Sequence, residues 1–140
     1  MKRFLIRAVV LTVILMSVTL NASAPSGGML PVISPVSLNP YKRLIYAVGY
    51  VETKCDTLAF NPIEEAAGYF QIRPVRLEDY NRRTGSHLEM IDMFNYKTSE
   101  RIFLYYADLV GPYDFEKIAR TWNGSGSSTI YYWNRIKKYL

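Results

Sequence analysis

Glu52 closes the segment Val48-Gly49-Tyr50-Val51-Glu52-Thr53, in which it is the only charged residue. A carboxyl group held among apolar neighbours keeps its proton more tightly, because burial penalises the charged form. Such a group can act as a general acid near neutral pH. Asp56, four residues on, is a second carboxylate within reach in sequence, although its surroundings read as a solvated loop. Glu64 and Glu65 read as solvent-facing acids. Cys55 and His87 are the sole cysteine and histidine, so no intrachain disulfide and no convincing zinc set are expected. A Cys–His nucleophile pair would need local activation, and nothing flanking Cys55 supplies it. No metal or cofactor is expected.

Two more segments carry chemistry-bearing residues at suggestive spacing. One is Ala67-Gly68-Tyr69-Phe70-Gln71-Ile72-Arg73-Pro74; the other is Ala119-Arg120-Thr121-Trp122-Asn123-Gly124. Together with Glu52-Thr53, in this order, they resemble the soluble lytic transglycosylase domain of the lysozyme-like superfamily. That family has a catalytic Glu-Ser at a helix end, then Gly-Leu-Met-Gln-Ile/Leu-x-Pro, then Tyr-Asn-Ala-Gly before a closing helix. Here Gly68 follows Glu52 by sixteen residues, and Tyr131-Tyr132-Trp133 falls in the closing helix. The resemblance covers Tyr41 to Leu140.

The resemblance implies cleavage of the β-1,4 bond between MurNAc and GlcNAc in peptidoglycan. A single acid/base suffices for that reaction. Glu52 protonates the leaving oxygen, the sugar's own 6-hydroxyl attacks, and the product is a 1,6-anhydro-muramyl end. It also implies roles by position. Thr53 stands where the family has Ser and would touch the sugar. Gln71 would hydrogen-bond substrate beside the acid. Tyr69 and Phe70 replace Leu-Met and would make an aromatic cleft roof. Trp122 stands for the family Tyr, with Asn123 and Gly124 at the turn. Trp122 has no hydroxyl, so that group would have to come from Tyr105, Tyr106, Tyr131 or Tyr132. The chain has twelve tyrosines, and aromatic faces with a phenolic edge suit sugar rings.

Helices must position these groups. Leu44, Ile45, Val48 and Val51 make one apolar face over Tyr41–Thr53. Residues 54–65 lose that period and read as a loop. Pro74 suits the first turn of a helix ending near Arg83 with Gly85 as cap. Arg73, Arg76, Arg82 and Arg83 read as a solvated face of that helix, in preference to an anion-binding lining. Tyr96 to Leu109 places Ile102, Tyr105, Tyr106 and Leu109 on one side. Asp114 suits the cap of a helix to Trp122. Residues 123–128 form a turn, and Thr129 reads as the cap of a last helix through Ile130, Trp133 and Ile136. The expected fold is all-α, or α-rich α+β if Gly68–Ile72 is extended. It would be one lysozyme-like domain over residues 41–140 with a glycan-binding cleft.

Residues 1–24 read as a secretory signal peptide: Lys2 and Arg3, an apolar run from Ala8 to Leu20, then Ala22-Ser23-Ala24. Residues 25–40, rich in proline, read as a flexible arm. The protein is therefore expected outside the cytoplasm, periplasmic or extracellular, with an uncleaved membrane anchor as the alternative. Of the formal charge of +5, three positive charges (Lys2, Arg3 and Arg7) belong to the leader, which leaves +2. That is too little for a nucleic-acid partner and compatible with an anionic wall polymer. A monomer acting on glycan strands is expected. The rival readings are a hydrolytic muramidase with the same Glu52, a non-catalytic wall-binding module, and a helper of secretion or conjugation machinery.

Overall fold

A computed structural model describes residues 39–140. The signal peptide and all but the last two residues of the arm lie outside the described residues. Five α-helices follow: α1 (Lys42–Thr53), α2 (Pro74–Thr84), α3 (Tyr96–Val110), α4 (Phe115–Asn123) and α5 (Thr129–Ile136). Met90–Phe94 and Lys137–Tyr139 are short 3-10 turns. Between α1 and α2, strand β1 (Phe60–Asn61) pairs antiparallel with β2 (Ala66–Ala67), Phe60 opposite Ala67 and Asn61 opposite Ala66. The described residues are thus helix-rich, with one minimal hairpin whose first strand falls in the stretch read as loop. None of their helices is long and apolar enough to cross a membrane.

The helix ends follow from local chemistry. Lys54 turns left-handed (φ 58°), so its N–H and that of Cys55 return to the carbonyls of Tyr50 and Gly49, each at 3.1 Å. This is the usual way a helix satisfies its last carbonyls. Pro74 occupies the first turn of α2, and Gly85 caps it in the left-handed region. The Asp114 carboxylate accepts the Lys117 N–H at 2.9 Å and starts α4. Thr129 is not the cap of α5. It lies inside the helix, buried, and its hydroxyl donates to the Gly126 carbonyl at 2.8 Å.

The core corrects the face of α3 and sets that of α5. On α3 the buried residues are Ser99, Ile102, Phe103 and Ala107, while Leu109 is 61 % exposed. The sequence stripe was drawn through the bulkiest residues. Instead Phe103 points inward, because it stacks on Phe70 with ring centroids 4.7 Å apart and planes 7° apart. On α5 the buried face is Thr129, Tyr132 and Ile136, and Ile130 sits at the surface. Phe70 also meets Tyr69, Trp122 and Tyr96 at 4.8, 6.3 and 6.3 Å. Such aromatic pairs add roughly 0.5–1.5 kcal/mol each beyond area burial.

Residues 67–72 form a tight turn. Ala67 and Ile72 exchange backbone hydrogen bonds at 3.0 Å in both directions, and the Gln71 N–H returns to Gly68. Gly68 is left-handed (φ 75°), and a Cβ there would lie 1.9 Å from the Met93 carbonyl oxygen. Backbone cannot yield as a side chain can. Gly68→Ala is therefore expected to cost more than roughly 2 kcal/mol, read as a lower midpoint in thermal or denaturant unfolding.

Candidate active site

Glu52 sits in the last turn of α1, half-buried, facing the closing helix. Tyr132 of α5 donates its hydroxyl hydrogen to Glu52 Oε1 at 2.6 Å. Among the described residues no group donates to the other carboxyl oxygen, Oε2, which reaches solvent. One oxygen is thus clamped and one is free to meet a ligand. Burial holds the Glu52 carboxyl above its ordinary range, and the exposed Glu64 carboxylate adds to this. The Tyr132 hydrogen bond and the Arg135 and Arg73 charges pull the other way. Burial is the largest of these effects, so the acid is held towards its protonated form. Tyr132 is itself pushed well above the usual phenol range by burial and by Glu52, and stays a donor.

The supporting structure ties three elements to this carboxyl. Arg135 of α5 donates to the carbonyl of Val51, the residue before Glu52, at 3.0 Å. The Thr53 hydroxyl lies 3.1 Å from the Gly49 carbonyl and 3.2 Å from that of Tyr69. It stitches the end of α1 to the turn that carries Gln71. Gly49 permits the approach, since a Cβ there would fall 1.8 Å from the Tyr69 ring. Gln71 adopts φ 49°, a conformation that costs a side-chain-bearing residue about 1 kcal/mol or more. Its amide nitrogen donates to the carbonyls of Gly68 (3.2 Å) and Ala59 (3.4 Å), leaving its side-chain oxygen open to solvent.

The other residues named from sequence have different surroundings. Phe70 is completely buried and has no face left for a sugar. Tyr69 is 7 % exposed, with its hydroxyl 3.4 Å from Cys55 Sγ. The expected aromatic cleft roof is therefore core. Trp122 is buried too; its indole N–H donates to the Phe70 carbonyl at 3.3 Å. Asn123 ends α4, exposed, without a side-chain hydrogen bond among the described residues. Of the four tyrosines that could replace the missing hydroxyl, Tyr132 reaches Glu52. Tyr106 instead bonds Asp79 at 2.8 Å, and Tyr131 is 74 % exposed. Asp56 is exposed and accepts the Leu58 N–H at 2.8 Å, so Glu64 is the carboxylate that Glu52 feels.

No protein-family model, curated protein or solved structure matches the chain. The chemistry of the site therefore rests on its own geometry. A depression of about 520 Å³ lies elsewhere, against the turn between α4 and α5, lined in part by Glu116, Lys117, Arg120 and Thr129. Its arginine is already bonded to Glu116 and Thr129 at 3.1 Å each. Its carboxylates, Asp114 and Glu116, already serve a helix cap and an ion pair, so size alone does not move the site there.

Sequence reading missed Arg135 altogether and placed Arg73 and Arg76 on a solvated face. Arg76 is in fact drawn inward, 4.3 Å from the Trp122 ring and donating to its carbonyl at 2.8 Å. Only Arg82 and Arg83 behave as expected, pairing with Asp79 at the surface. Aromatic rings that attract a guanidinium were visible in the sequence, but their arrangement was not.

Tyr132→Phe removes the one side-chain hydrogen bond that Glu52 receives among the described residues. That bond favours the carboxylate, so its loss raises the Glu52 pKa further. If Glu52 works as an acid, the alkaline limb of the pH–rate profile is expected to move to higher pH. The rate at the optimum should fall about tenfold, the scale of one charge-assisted hydrogen bond.

Proposed function

We propose that this protein cleaves peptidoglycan glycan strands as a lytic transglycosylase, with Glu52 as its only acid/base. The observation that carries the reading is the half-buried Glu52, held towards its neutral form, with Oε1 fixed by Tyr132 and Oε2 open. A protonated Glu52 gives its proton to the glycosidic oxygen as the C1–O bond breaks. The 6-hydroxyl of the same sugar then attacks C1 and returns its proton to the Glu52 carboxylate. Charge and atoms balance without a second carboxylate or a water. Gln71, with its open carbonyl oxygen, is suited to accept a sugar hydroxyl near the acid. We further propose that the helices form a lysozyme-like domain with the glycan lying across the end of α1 and the turn at residues 68–71. Export by a cleaved signal peptide would bring it to that substrate.

A hydrolytic outcome is the second reading, favoured by one observation: Glu64 lies close enough for its charge to raise the Glu52 pKa. In that case Glu64, and not Asp56, would activate the water.

The test is digestion of purified peptidoglycan by the protein, with fragments identified by mass spectrometry. Anhydro-muramyl ends that do not need Glu64 support the transglycosylase. Reducing ends lost in Glu64→Gln replace it with the hydrolase. No fragments, with wall sedimentation intact, would reduce the protein to a binding module.

A further inference from the structure

The arginines near the site differ in one respect. Arg82 and Arg83 end on Asp79. Arg76 lies over Trp122 and Tyr106 and donates to a carbonyl. Arg135 holds the Val51 carbonyl. Arg73 alone of these has neither a hydrogen bond nor an ion pair from its guanidinium among the described residues, although it is half-buried. It is the extended residue (ψ 155°) directly before α2, two positions after Gln71. That places it on the turn stitched to Glu52's helix by Thr53. Its unpaired guanidinium nitrogens reach solvent, so a rigid fork of five donors is open to a ligand there.

Among the described residues nothing pairs with this charge. It also works against the acid, since it pulls Glu52 towards the carboxylate. A ligand that brings a negative charge to this place would satisfy the guanidinium and remove that pull together. The shape of the guanidinium selects the group, because a carboxylate accepts two of its N–H bonds in parallel.

We propose that Arg73 binds a carboxylate carried by the glycan beside the scissile bond, making it a specificity-determining residue for anionic strands over neutral ones. This rests on the glycan-cleavage reading of Glu52. Two sources share the chemistry: the peptide stem and, where the stem is absent, the lactyl ether of the sugar itself.

The experiment measures binding, so that it does not depend on turnover. Glu52→Gln protein is titrated calorimetrically with three probes: stem-bearing strands, strands stripped of stems by an amidase, and neutral chitohexaose. Arg73→Met and Arg73→Lys are added to the same background. Arg73→Met is expected to weaken at least one anionic probe by roughly tenfold or more and to leave chitohexaose unchanged. Arg73→Lys should recover part of the loss, and salt should shrink the difference. The anionic probe that responds identifies the source of the carboxylate. Equal weakening of all three probes, or none, overturns the inference. Arg73-independent binding alongside anhydro ends from the wild type sinks this inference and leaves the function standing. Arg73-dependent binding without any strand cleavage does the reverse. If no probe binds, this inference falls, and digestion alone decides the function.

Discussion

Glu52→Gln is expected to lower strand cleavage by roughly 10²- to 10⁴-fold, the usual contribution of a positioned acid/base. The same substitution should make the protein more stable at neutral pH. Glu52 has a folded-state pKa above its ordinary value of 4.5. As pH rises through that ordinary value, the unfolded chain loses the proton while the folded one keeps it. Folding stability therefore declines with rising pH until the folded-state pKa is passed. Glutamine has no proton to lose and no buried charge to accommodate, and its carbonyl oxygen still accepts from Tyr132. The gain should be roughly 0.5–2 kcal/mol at pH 7 and should vanish below pH 4.5. Thermal unfolding of both proteins across that range checks it. A Glu52→Gln variant that is equally inactive but no more stable at pH 7 would mean that the carboxyl is not held neutral by its surroundings. The acid role would then lose its physical basis.

Phe70→Ala carries the largest expected effect on stability. Phe70 is fully buried among Phe103, Trp122, Tyr69 and Tyr96, and the cavity would be lined by rigid rings that cannot easily close on it. The expected cost is about 3–5 kcal/mol, a large share of the 5–15 kcal/mol typical of a small domain. Denaturant unfolding measures it directly. Phe70→Leu should cost clearly less and keep glycan binding. A sugar-stacking residue would behave in the opposite way, with Phe70→Ala folding well and losing ligand. That pair of results would move the aromatic platform back into the cleft.

The contrast at Phe70 marks what a sequence can and cannot convey about this chain. Helix positions were legible because local signals set them: Pro74 and Gly85 bracket α2, and Asp114 starts α4. The burial of Glu52 was legible because apolar neighbours flank it in the chain itself. The faces of α3 and α5 were not, because which of several apolar residues turns inward depends on partners from other helices. Phe103 is chosen by Phe70, thirty-three positions earlier. Tyr132 could be named as a substrate contact, but its bond to Glu52 could not, since that depends on how α5 lies against α1. Arg135 had no local signal of any kind. Its acceptor is a backbone carbonyl, which any residue at position 51 would present.

The bond between Tyr132 and Glu52 joins residues eighty positions apart, and that between Arg135 and Val51 spans eighty-four. Both clamps come from α5, far along the chain from α1. A nascent chain that has made only residues up to 128 therefore carries a Glu52 that neither contact holds. Its carboxyl oxygen is fixed only after residues 129–136 have emerged and docked. On the proposed reading of Glu52, a chain truncated before Thr129 should show no strand cleavage.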